Sequence, residues 1–66
     1  MLIHWTLATD TAGFELHTAW AGDFHLSVVG YTDFWPWLIY RNGRYTDEGQ
    51  GTSLHAAKAA AEAAIA

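Results

Sequence analysis

Three stretches in the first half of the chain alternate between apolar and polar residues with the period of two expected of half-buried strands. In residues 2–8, Ile3, Trp5 and Leu7 oppose Leu2, His4 and Thr6. In residues 14–20, Phe14, Leu16, Thr18 and Trp20 oppose Glu15, His17 and Ala19. In residues 24–29, Phe24, Leu26 and Val28 oppose His25, Ser27 and Val29. Turn chemistry separates the first two in the run TDTAG. A three-residue loop over 21–23 sets Thr18 against Leu26 and Leu16 against Val28, so both apolar sets share a face. A two-residue loop that sets Leu26 against His17 mixes the faces, which a half-buried sheet does not tolerate. Pro36 lacks a ladder donor, so the next strand, 37–41, starts at or near it or lies at an edge. Asn42-Gly43 is a type I′ hairpin signal leading into a strand over 44–48, with Tyr40 facing Tyr45 and Leu38 facing Asp47.

The period then changes. Residues 53–65, within SLHAAKAAAEAAIA, hold no Gly or Pro and are rich in Ala, the strongest helix former. Ser53 or Thr52 serves as N-cap. Leu54, Ala57, Ala61 and Ile65 follow a 3, 4, 4 spacing that predicts one buried stripe, widened over Ala60 and Ala64. A helix this short is marginal alone, about 12–15 residues being the threshold in water, so it must dock. The prediction is an α+β fold: an antiparallel meander of four or five strands with one C-terminal helix packed on one face, forming a single domain over 1–66.

Composition narrows the chemistry. The helix stripe is mostly methyl groups, so large rings on the sheet must fill the space; the chain has four Trp, three Phe and three Tyr. It has no Cys, which excludes disulfides and thiolate sites. The opening residues lack the basic start and apolar run of a signal peptide, and no stretch is long enough for a membrane span. The expected location is cytoplasmic, within a bacterial host. Net charge is −4, and residues 1–40 carry Asp10, Glu15, Asp23 and Asp33 with no Lys or Arg. Three basic residues cannot neutralise a useful run of phosphates, so direct nucleic-acid binding is not expected. The acidic half suits a basic partner surface.

Side-chain constellations offer two further readings. If Leu7 pairs with Phe14, His4 faces His17 and His25 lies diagonal to it, making His4, His17 and His25 a candidate metal- or pH-responsive cluster, although no usual ligand spacing is present. The run FWPWLIY cannot bury both of its faces: either Trp37 and Ile39 or Leu38 and Tyr40 stay outside. Exposed rings beside Arg41 and Arg44 suit an interaction surface, with Trp35, Trp37, Tyr40 and Tyr45 as anchors and the 34–40 edge open to self-pairing in a homodimer. No nucleophile elbow or phosphate loop is present, so neither an enzyme nor a cofactor is expected.

A strand ending in Trp, the hairpin WPWLIYRNG, a Gly-containing link and the closing SLHAAKAAAEAA together resemble a pattern common among short phage- and prophage-encoded proteins. In size, acidity and lack of catalytic motifs the chain is also similar to anti-CRISPR inhibitors from that genomic setting. The resemblance implies a non-enzymatic protein-binding inhibitor that covers a basic nucleic-acid-binding surface of a host complex. It assigns no residue a role. The candidate contacts Asp10, Glu15, Asp23, Asp33, Trp35, Trp37, Tyr40 and Tyr45 come from charge and ring exposure alone.

Overall fold

A computed structural model describes residues 3–66. Five strands form one antiparallel sheet in the order β1-β2-β3-β4-β5: Trp5–Thr9, Glu15–Ala21, Phe24–Gly30, Trp35–Arg41 and Arg44–Gly51. Helix α1, Leu54–Ala64, packs on one face, giving the α+β meander that the alternation predicts. Leu2, the expected first residue of β1, lies outside the described residues. Among those residues, no helix is long and apolar enough to cross a membrane.

The helix begins where its cap chemistry places it. Ser53 is extended, and its Oγ accepts the Ala56 N–H at 3.1 Å. Ala57 and Ala61 are fully buried, and Leu54, Ala60 and Ile65 pack partly against the same core. Ala64 is exposed, because the buried stripe leans toward the opposite flank. There Trp5 Nε1 donates to Glu62 Oε2 at 2.8 Å, and the Lys58 ammonium sits 5.4 Å from the Trp5 ring centre. The helix crosses β3, β4 and β5, with Leu26, Val28, Trp37 and Ile39 beneath it.

The turn between β2 and β3 departs from expectation by one residue. Ala21 faces Phe24 across a two-residue turn, Gly22-Asp23, in which Gly22 takes φ +63°. Glycine with positive φ at the first central position is the II′ pattern, whose twist matches the flanking strands. The one-residue slip turns all of β2 over. His17, Ala19 and Ala21 therefore face the helix layer, with Ala19 set against Leu26. Leu16, Thr18 and Trp20 face the other way. The small side chains of Ala19 and Ala21 leave room for Trp5, which stands opposite Ala19 and packs on the core.

The second hairpin forms with Asn42 at φ +51° and Gly43 at φ +79°, the type I′ signature. A bulge follows between Ile39 and Tyr40, where the Thr46 hydroxyl donates to the Ile39 carbonyl at 3.0 Å. Leu38 consequently faces Glu48 rather than Asp47. Trp35 and Trp37 come to lie opposite Gly51 and Gly49, and a Cβ at Gly49 would collide with the Trp37 ring. Pro36 lies inside β4, and the β3–β4 ladder stops at Trp37, so its missing N–H interrupts no pairing with β3. With β3 on one side and β5 on the other, the 34–40 segment is interior and not an edge available for self-pairing.

The two lower turns are tied together. The Asn42 N–H donates to the Asp23 carbonyl at 3.1 Å, and Arg41 Nε donates to Asp23 Oδ2 at 2.8 Å. The Arg41 hydrogen bond is the main reason that the Asp23 carboxyl is held below the ordinary carboxylate value. A depressed pKa means that the pair contributes stability above the unfolded value, about 3.9, and loses it as pH falls through the folded one. Arg41→Gln is expected to return the Asp23 carboxyl to its ordinary titration range in an NMR pH series. An unchanged midpoint in that variant would remove Arg41 as the cause.

Candidate functional site

One helix covers one side of the sheet, and the other side is open. The register places Trp20, His25, Tyr40 and Tyr45 side by side on it, one ring from each of four successive strands. Trp20 and His25 stack at 4.5 Å between ring centres, and Tyr40 meets Tyr45 edge-on at 6.2 Å. Trp20 is 69% exposed and Tyr45 52% exposed. The neighbouring row runs Thr6, Thr18, Ser27, Leu38 and Glu48. Leu16, Val29 and Pro36 continue the face, all half-buried with no layer above them. At the upper end, the Tyr31 ring lies between Phe14, at 4.7 Å, and Phe34, at 4.9 Å, joining the β1–β2 and β3–β4 loops.

Within these strands the face carries one charged residue, Glu48, at its β5 side. The Tyr45 hydroxyl donates to Glu48 Oε1 at 2.8 Å, which, with lost hydration and nearby negative charge, holds the phenol proton above the usual tyrosine value. Two other acids, Asp10 and Asp33, occupy the two upper loops, while Asp47, opposite Ile39 on the β5 edge, belongs to the helix side. Asp10 has a local duty too, since its Oδ1 accepts the N–H groups of Ala12 and Phe14 at 2.9 Å each.

The eight expected contact residues therefore separate. Tyr40 and Tyr45 reach the open face. Trp37 is 9% exposed and belongs to the core beneath the helix, and Trp35 packs against that core, so neither is free to anchor a partner. Gly49 leaves room for the Trp37 ring and Gly30 for the Trp35 ring, both on the helix side. Asp23 lies at the lower end, away from Asp10 and Asp33, and is paired with Arg41. Glu15 contacts His17 at 3.1 Å instead of joining a patch.

The histidine cluster does not assemble. His17 is buried on the helix side, while His25 stacks on Trp20 across the sheet. The β1–β2 register sets Leu7, and not His4, against His17. Among the described residues no set of three His, Cys, Asp or Glu side chains converges.

Trp20, His25, Leu16, Val29 and Leu38 were not among the expected contacts. The usable signal was Gly22-Asp23: read as a II′ turn, it sets Trp20 beside His25 and so outside. A shallow cleft of about 350 Å³, lined by Ile3, Glu62, Ala63, Ile65 and Ala66, lies near the helix C-terminus. Its one titratable side chain, Glu62, already accepts from Trp5. Compared with known proteins, the chain matches no family model, no curated protein and no solved structure.

Proposed function

We propose that this chain is a non-enzymatic protein-docking module of the mobile-element, anti-CRISPR-like kind. In this reading its open sheet face covers a basic, nucleic-acid-binding surface of a host complex. The observation that carries the reading is the row Trp20, His25, Tyr40 and Tyr45 on a face with no covering layer. Tyr and Trp are the residue types that dominate interface hot spots, and such anchors sit at the centre of a contact. The charge supplies steering: Glu48 stands beside Tyr45, Asp10 and Asp33 occupy the loops at the far end of the same face, and the whole chain is acidic. The same negative charge argues against the rings stacking on nucleic acid directly, since few cations are present to hold phosphates. A face of five strands about 4.8 Å apart and seven residues long at about 3.3 Å each covers roughly 550 Å². Covering it from both sides buries about 1,100 Å², above the roughly 1,000 Å² expected of a specific interface.

The test is capture of a nucleic-acid-handling complex from a bacterial lysate, compared between the native chain and Trp20→Ala/Tyr45→Ala. The double variant is expected to lose at least tenfold in affinity with its melting temperature little changed, because both rings are exposed. Free nucleic acid should compete for the complex, and raising salt from 50 to 200 mM should slow association. Equal capture by the double variant, or no competition by nucleic acid, would count against the open face as the contact.

A further inference from the structure

We propose that β1 is a docking edge for a second copy of this chain, which pairs with it antiparallel about a two-fold axis at Leu7. This is independent of what the open face binds. A sheet of five strands has two edges, and here they are built differently. The β5 edge carries Arg44, Asp47 and Glu48, is broken by the bulge, and has α1 leaning on it through Gly51 and Ala57. Charges, bulges and a covering helix are the devices that keep an edge from pairing. The β1 edge has none of them. Its sequence Trp5-Thr6-Leu7-Ala8-Thr9 contains no charge, Pro or Gly, and Leu7 is 62% exposed.

The two-fold register is self-consistent. Leu7 meets the partner's Leu7 on the helix side, and Thr6 meets the partner's Ala8 on the open side. Trp5 meets the partner's Thr9. One step further out, His4 meets the partner's Asp10 at both ends of the ladder. His4 is exposed, and the Asp10 carboxylate spends only Oδ1 on its own turn, leaving Oδ2 for an imidazole N–H. No like charges are opposed. The helix packs on β3, β4 and β5 and reaches β1 only through Glu62 and Lys58 at Trp5, so the centre of the seam at Leu7 is left clear. An isologous contact of this kind closes at two copies, and the guarded β5 edges stop further growth. The product is a ten-stranded sheet with one continuous open face.

The native chain has no cysteine, so single cysteines can report the register. Directly opposed residues have Cα atoms about 4.5–5.5 Å apart, within the roughly 4.4–6.8 Å a disulfide spans. Leu7→Cys is therefore expected to oxidise to a covalent dimer. Thr9→Cys should stay largely free of cross-links, because in this register the two Thr9 positions are about 14 Å apart along the strands at ~3.4 Å per residue. Sedimentation of the native chain between about 1 µM and 1 mM should show a monomer–dimer equilibrium. Leu7→Lys, which sets two cations against each other, should sediment as monomer with its melting temperature nearly unchanged. The proposal is overturned by a native chain that is monomeric throughout, by a Leu7→Lys variant that still dimerises, or by Thr9→Cys cross-linking as readily as Leu7→Cys.

Discussion

Leu26→Ala leaves most of the chain unfolded at 25 °C. Leu26 has no exposed surface and packs in the cluster formed by Val28, Trp37, Ile39, Ala57 and Ala61. Removing a buried leucine to its Cβ costs about 2–5 kcal/mol, the spread reflecting how far the site can collapse. Collapse is poor here, since the neighbours across the ladder are Ala19, which has nothing to extend, and Ile39, which is already fully buried. A domain of this size without disulfides has only about 3–5 kcal/mol of net stability to lose. Poor collapse puts the cost toward the top of its range, where it meets or exceeds that margin, so the variant falls below the unfolding midpoint. Guanidinium titration followed by near-ultraviolet circular dichroism measures this, the four Trp supplying the signal. Leu38→Ala is the matched control: Leu38 belongs to the adjacent strand but stands half-buried on the open face, so its loss costs far less. A Leu26→Ala variant as stable as Leu38→Ala would mean that the core is not where the helix lies.

The contrast between Leu26 and Leu38 also marks how far the sequence could be read. Alternation identified the strands, and the methyl stripe of Ala57 and Ala61 identified the helix and its buried side, because both signals are local. Asn42-Gly43 set its hairpin for the same reason. The faces of β2 and β4 were harder, because they depend on one-residue choices that alternation does not make. On β2, both faces hold plausible core residues, and only reading Gly22-Asp23 as a tight turn places Ala19 and Ala21 inward. On β4, the regular hairpin register sets Trp35 and Trp37 against Gln50 and Glu48. The bulge moves them opposite Gly51 and Gly49, and only then does the Trp37 indole find the open space over Gly49. A bulge has no strong sequence mark, so the signal was present but out of step. The histidine cluster failed for the same cause, since it needed His17 on the wet side of a strand that had been turned over.

Those two glycines yield the second large effect. Gly51→Ala is expected to destabilise the fold by about 1–3 kcal/mol, the range for overpacking a well-filled core, although alanine normally favours folded chains over glycine. A Cβ on Gly51 would stand 2.7–2.8 Å from the N, Cα and Cβ atoms of Ala57. Two of those three atoms are helix backbone, so no rotamer change makes room, and the first turn of α1 must lift from β5. Ala57→Gly would remove only the third atom and adds a helix-propensity cost of about 1 kcal/mol, so it does not rescue. Gly49→Ala meets a different obstacle, the Trp37 ring, which is side chain alone. Combining it with Trp37→Leu should therefore cost less than the two single changes summed, a coupling that a double-mutant cycle reads directly. Thermal melts of the four single and two double variants separate the cases: rescue at 49 with none at 51 places helix backbone against sheet backbone at Gly51. Additive behaviour at both positions would mean that neither glycine is held by what faces it, and the helix would then be positioned by its larger residues, Leu54 and Ile65, instead of by the close approach of Ala57.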